Sequence, residues 1–559
     1  MDTYSVWAPK AQRVDLVIEE GPGARNDGEG ARADVAEEAP GESSREQMRD
    51  PLVEAMVKVG EFFHSQRPMR EGDRYAFRVD GGPNLPDPYS RRQPDGIHGK
   101  SQVWRADRPR EPLYRPLQGE VLYELHVGTF TPSGTLDAAI EKLDYLADLG
   151  VTAVELMPLQ PVGGRNWGYD GVQWHAVDEA YGGPDALLRF VDAAHAQGIA
   201  VILDVVFNHF GPDGNYTDFF GPYTTVGETG WGNVVNLMGP GSDQVRRYIL
   251  DAVRLWTKEF GVDGLRLDAV HALDDRGAVS ILEQMRDVAS PSYLIAESDQ
   301  NDTRITQDYR LAQWNDDVHH AIHAAVSGET QGYYCDFGSM EVLATVMQQV
   351  YWHAGRYSTF RGRTHGRPLV DPEPWRFMAY TTNHDQTGNR AAGDRPSMYL
   401  SPEQQLAKAA LVLLSPFTPM LFMGEEWGAS TPFAFFVNHS SEELNQATRE
   451  GRLKEFSTFN PEDVLDPADE GTFEASRLDW SELDREPHRR IVEGYRNLIA
   501  FRTQHRMAEA SLPTVRYEGR WIELVYATPV STVTITANLS DEPTRGLDAW
   551  EVRREAVKR

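Results

Sequence analysis

The sequence predicts an α/β protein, a (β/α)8 TIM barrel flanked by an N-terminal β-sandwich and a small C-terminal β domain. Three observations carry that expectation. From about Gly119, near-continuous apolar runs alternate with amphipathic ones, as in a parallel sheet covered on its outer face. Before that point the runs are short, alternating and bounded by Pro and Gly. In the last seventy or so residues the alternating pattern returns. The expected boundaries are 1–105 for the sandwich, of carbohydrate-binding-module type, 106–480 for the barrel, and 481–559 for the C-terminal domain with a leading helix.

Taken in order, "TYSVWAP", "RVDLVIEE" and "DRYAFRVDG" read as sandwich strands. The Gly-rich acidic stretch near residues 20–47 reads as a mobile loop. Seven barrel strands follow: "EVLYELHV", "VTAVELMPL", "IAVILDVVFNH", "VDGLRLDAV", "SYLIAES", "WRFMAYTTNHD" and "PMLFMGEE". An eighth falls near "RLAQWNDDVHH", and eight such units close into a barrel. A doubly wound open sheet is the competing topology. "HRRIVEGYRNLIAFRTQH" then reads as a helix ahead of the strands "RWIELVYAT" and "STVTITANL".

Composition narrows the function classes. The 85 acidic and 55 basic residues give 559 residues a formal charge of −30, which argues against a nucleic-acid footprint. Cys335 is the only cysteine, so neither an internal disulfide nor a cysteine metal site is available; it reads as a core residue. The N-terminus lacks a signal-peptide pattern, and no run of 18 apolar residues offers a membrane span. A cytoplasmic protein is expected.

The strand ends carry the chemistry. In "VDGLRLDAVHAL", Arg266 and Asp268 share a strand face, where a core would want aliphatics. Asn208 and His209 close the strand containing Asp204, Glu297 closes "SYLIAES", and His384 and Asp385 close "FMAYTTNHD". In a barrel these ends converge on one rim. Metal binding is the first rival, but no HExxH or EF-hand spacing occurs and Arg266 would repel a cation. No cofactor is expected, and the sequence is silent on structural calcium.

Several carboxylates without a metal suit glycoside hydrolysis. Asp268 is the candidate nucleophile, kept charged by Arg266. Glu297 is the candidate acid, which burial would keep protonated, and Asp385 would support the developing oxocarbenium charge.

"DVVFNH", "GLRLDAVHA", "LIAES" and "NHDQ" together resemble the four conserved segments of the α-amylase family, in that family's order. The strand pattern extends the resemblance from about Gly119 to Trp427. The resemblance implies the same roles for Asp268, Glu297 and Asp385. It also implies that Asp204, Arg266, His209, His271 and His384 surround the bound sugar, and that Tyr169 in "NWGYDG" is the platform on which it stacks. The "SVWAPKAQRVDLVI" opening is similar to the module preceding the barrel in branching and debranching members.

Finer motifs, "LIAESDQNDTRI", "AQWNDDVHHAIH", "NHDQTGNRAAGDR" and "MGEEWGASTPFAFF", resemble the members that hydrolyse the α-1,4 bond next to a terminal trehalose. That implies a maltooligosyltrehalose substrate and a partner synthase that makes the trehalosyl end. It also implies that Asp316, Asp317, His319, His320, Gln386 and Asn389 line the cleft. Taken alone, "DDVHHAIH" reads as an ordinary polar helix face. A glycogen-branching transglycosylase and a non-catalytic carbohydrate-binding relative are the alternatives.

Overall fold

The computed structural model describes residues 3–19, 51–229, 232–456 and 464–558. The acidic stretch expected to be a mobile loop lies outside these residues.

Eight parallel strands close a barrel: β1 (Leu122–Leu125), β2 (Ala153–Leu156), β3 (Ala200–Val205), β4 (Gly264–Leu267), β5 (Tyr293–Ala296), β6 (Ala312–Trp314), β7 (Phe377–Tyr380) and β8 (Thr418–Phe422). β8 pairs back onto β1 with Leu421 opposite Tyr123. The ring is therefore closed, and the open-sheet alternative is excluded. The eighth strand is β6, within "RLAQWNDDVHH" as expected.

Strand alternation explains the charged residues in these apolar runs. One set of side chains, including Tyr123, Val154, Val201, Leu203, Leu265 and Leu267, joins the large core between barrel and helices. The other set points inward. Deep in the barrel that set is apolar, with Leu122, Ala153, Ile202, Ile295, Met378 and Met420 in one cluster. Two residues further along their strands stand Glu124, Glu155 and Asp204, with Arg266 opposite Asp204. All four are buried. The interior thus changes from apolar to charged towards the carboxyl ends of the strands.

Helix ends near that rim are set by local chemistry. The helix Asp316–Ser327 starts where the Asn315 side chain accepts from Val318 N and stops at Gly328, φ 77°. The short helix His384–Gly388 is capped by Asn383, which accepts from Gln386 N. The polar face expected over "DDVHHAIH" is instead turned inward: Asp317 to Val326 are all buried. Its histidines pack on aromatic rings, His319 on Tyr380 at 5.5 Å and His320 on Tyr333 at 4.8 Å. Burial holds both imidazoles below their ordinary value, His320 at about 3.

The N-terminal region forms two antiparallel sheets, one of strands 3–7, 62–68 and 57–59, the other built around 14–19 and 74–79. Trp7 packs edge-on against Tyr223 of the barrel region, at 5.4 Å. At the other end the helix His488–Gln504 leads into a four-stranded antiparallel sheet over residues 514–558. Cys335 corrects the sequence reading: it is exposed, because the preceding turn Gly332–Tyr334 gives its inward position to Tyr334. Among the described residues no helix is long and apolar enough to cross a membrane.

Candidate active site

Arg266 is the centre of the site. Its side chain is wholly buried and paired with three carboxylates: Asp204 and Asp268 through Nη1, at 2.8 and 2.9 Å, and Glu297 through Nη2, at 3.0 Å. Trp314 on β6 lies 4.2 Å from the guanidinium on its ring face. The carboxylates at the rim are more open than their supports. The Asp268, Glu297 and Asp385 side chains are 13, 23 and 33% exposed, against 1% for Asp204. A buried base under accessible acids is an arrangement for contact with a ligand, not for core filling.

The turn after the candidate nucleophile is strained towards that purpose. Ala269 takes φ 38°, a left-handed conformation that a non-glycine residue rarely adopts. In that conformation its backbone N–H donates to Glu297 Oε2 at 2.8 Å, tying the ends of β4 and β5 together. Asn208 fixes Asp268 from the other side, donating to Oδ2 at 2.6 Å and to its carbonyl at 2.8 Å. His209 Nδ1 lies 2.6 Å from Asn208 Oδ1. Burial raises Glu297, and the charge of Asp268 adds to this against the pull of Arg266. Glu297 is thereby suited to carry a proton.

Tyr169 donates its hydroxyl to Asp204 Oδ2 at 2.6 Å, and its ring stacks on His384 at 5.1 Å. Two glycines allow this. A Cβ on Gly168, φ 106°, would stand 2.4 Å from the Pro158 carbonyl oxygen, and one on Gly388 would strike the Trp167 ring at 2.0 Å. His384 in turn approaches Asp385, Nε2 to Oδ1 3.5 Å, and Asn389 donates to the same oxygen at 3.2 Å.

Asp316 lies close to this group: it accepts from Tyr380 at 2.5 Å, with Gln386 Nε2 3.5 Å away. Burial pushes its carboxyl up to about 7, helped by the nearby charges of Glu297 and Asp385.

Other residues of the expected set stand elsewhere. Asp317 accepts from the backbone N–H groups of Trp352 and His353 at 2.7 and 2.8 Å, so it anchors that segment. His319 is buried behind Tyr380. His320 lies beneath Tyr333, whose hydroxyl donates to Gln386 Oε1 at 3.2 Å. His271 is exposed in the single turn Val270–Ala272 after β4.

The sequence reading left Asn208, Glu124 and Trp314 out of the site. Glu124 had the same signal as Arg266, a charge inside an apolar strand, but nothing local links it to His384, 260 residues away.

Arg266→Met is expected to lower stability by about 3–5 kcal/mol, because three carboxylates would lose their buried counter-charge. A thermal melt checks this. Arg266→Lys, a point charge without the planar fork, is expected to recover only part of the loss.

A family model described as alpha amylase, catalytic domain, matches residues 85–220. With the closed barrel and its rim, this makes the protein a glycoside hydrolase of the α-amylase class. The malto-oligosyltrehalose trehalohydrolase of Mycobacterium tuberculosis is 47% identical over 527 residues, covering 88% of this chain and 90% of that one. The Rhizobium sp. enzyme of the same name is 53% identical over 454 residues, 77% of this chain and 76% of its own. The chain belongs to the malto-oligosyltrehalose trehalohydrolase family. Among solved structures, a putative α-amylase from Salmonella typhimurium superposes with a TM-score of 0.86 at 33% identity, covering 99% of this chain and 97% of that one.

Proposed function

We propose that the protein hydrolyses the α-1,4 bond next to the terminal trehalose of maltooligosyltrehalose, with retention, releasing trehalose and a maltooligosaccharide. The observation that carries the chemistry is the single guanidinium shared by Asp268 and Glu297. It holds two carboxyl groups side by side, as a double displacement needs. Asp268 attacks the anomeric carbon as Glu297 gives its proton to the departing trehalose oxygen, leaving a glycosyl ester on Asp268. Glu297 then takes a proton from water, whose oxygen displaces Asp268 and restores both groups. Asp385, with His384, bridges sugar hydroxyls, and Tyr169 is the platform beneath the ring.

The substrate assignment is supported by the relatives' names and by the motifs after β5 and β7. It implies a synthase upstream that forms the trehalosyl end. A cytoplasmic location is supported by the acidic composition and the single cysteine.

The deciding experiment is a product assay on maltotriosyltrehalose and, separately, maltopentaose, with sugars resolved by chromatography. Rapid release of trehalose from the first and little change in the second is the expected result. Equal cleavage of both would make the protein a general glucan hydrolase, and new α-1,6 branches in amylose would make it a transglycosylase.

A further inference from the structure

Two carboxyl groups that the double displacement does not use lie beneath the rim: Glu124 on β1 and Glu155 on β2. They are register neighbours and both are buried. Their surroundings differ. Glu124 receives two donors from one residue: His384 Nδ1 at 2.5 Å on Oε1, and the His384 backbone N–H at 3.0 Å on Oε2. Neither Glu155 oxygen meets a protein hydrogen-bond partner, and burial raises this carboxyl far above its ordinary range. Burial thus disfavours the charged form of Glu155, and Glu124 is the group that holds the histidine.

The chemistry of imidazole turns this contact into a functional constraint. A carboxylate accepts and does not donate, so Nδ1 must carry a proton towards Glu124. In a neutral ring Nε2 would then be a lone pair facing the Asp385 carboxylate, 3.5 Å away. Only the doubly protonated ring suits both neighbours.

We propose that Glu124 is a positioning residue of the catalytic centre, holding His384 as an imidazolium whose Nε2–H is aimed at Asp385 and the sugar hydroxyl beside it. The proposal rests on the hydrolase reading above, but not on trehalose as the leaving group.

The charges around His384 agree. Burial works to lower its pKa, yet Asp385 on its own helix and Glu124 on β1 lift it to about 9. Asp204 on β3 and Glu155 on β2 also face it, and Arg266 on β4 and His126 after β1 act the other way when charged. The rings of Tyr169, Trp167 and Trp314 complete its surroundings.

The test uses the full chain and α-maltotriosyl fluoride, whose leaving group needs no proton from Glu297. Wild-type turnover is expected to persist until His384 deprotonates near pH 9. Glu124→Gln is expected to turn over about 100-fold more slowly at neutral pH, and its alkaline limb to fall at least about one unit lower, as the charge that held the proton is gone. Glu155→Gln, which mimics a neutral acid, keeps the wild-type limb. In a His384→Asn background, Glu124→Gln is expected to add no further loss, since its effect passes through His384.

An unmoved alkaline limb in Glu124→Gln, or losses that add in the double variant, would overturn the proposal and leave Glu124 a packing residue. Should Glu124→Gln fail to fold, Glu124→Asp decides. That variant keeps the charge but shortens its reach, so turnover must drop, and an enzyme as fast as wild type refutes the assignment. Turnover of the fluoride with no trehalose release would sink the substrate reading alone; no turnover by folded wild type would sink both.

Discussion

Asp268→Asn is expected to abolish turnover of maltotriosyltrehalose, by roughly four to six orders of magnitude, while the protein folds as before. The amide is nearly isosteric, but its single oxygen can accept from only one of Arg266 and Asn208, which now donate to the two Asp268 oxygens at 2.9 and 2.6 Å. What it lacks is the charged oxygen that forms the glycosyl ester. Stability is expected to fall by about 1–3 kcal/mol, the cost of one buried donor left without its acceptor, while Arg266 keeps its pair with Asp204. Trehalose release and a melting curve on the same preparation check both halves. Residual turnover within a factor of about ten of wild type, on the scale of tenfold per 1.4 kcal/mol, would remove Asp268 from the nucleophile's role.

Glu297→Gln is expected to be the second largest loss, about 100- to 10,000-fold on the natural leaving group. The amide cannot protonate the departing oxygen, nor can it deprotonate the attacking water. The two deficits separate by substrate. With α-maltotriosyl fluoride the first step needs no acid, so the variant is expected to form the glycosyl-enzyme and stall there. Added azide, which needs no base, should then restore turnover and give the α-configured glycosyl azide, the configuration retained through two inversions. A β-configured azide would contradict a covalent intermediate on Asp268.

The pH profile carries the matching sign. Burial and the charge of Asp268 raise Glu297, so the wild-type enzyme keeps its acid proton above the ordinary carboxyl range and loses activity on trehalosyl substrates as pH rises through that raised value. Glu297→Gln should have no such limb.

Much of this site was legible because a strand repeats every two residues. Arg266 and Asp268 stand out against Leu265 and Leu267, and the same alternation marks Asp204. Glu124 and Glu155 show the alternation too, in "YEL" and "VEL", yet the pattern does not distinguish a carboxyl gripped by an imidazole from one left without a partner. That difference lies in contacts across 260 residues of chain. The segment "DDVHH" divides for a related reason: Asp316 reaches Tyr380 and Gln386, and the rest does not. Its polar residues suggested an outward or cleft-facing surface, but Asp317 serves backbone N–H groups near residue 352, and His319 packs on Tyr380. Cys335 followed residue-type expectation inward, whereas a one-turn helix rotated Tyr334 into that place.

The sequence by itself determined the order of the barrel strands and the face of each strand that carries charge, and it supplied the candidates for nucleophile, acid and stabiliser. Periodicity and side-chain chemistry are local properties, and they survive in a linear reading. Only the tertiary structure decided that β8 closes on β1, that one guanidinium serves three carboxylates, and that Ala269 is strained so that its N–H meets Glu297. Those outcomes depend on which distant groups share a buried, low-dielectric space, where an unpaired charge is costly and each carboxyl takes its proton or its partner accordingly.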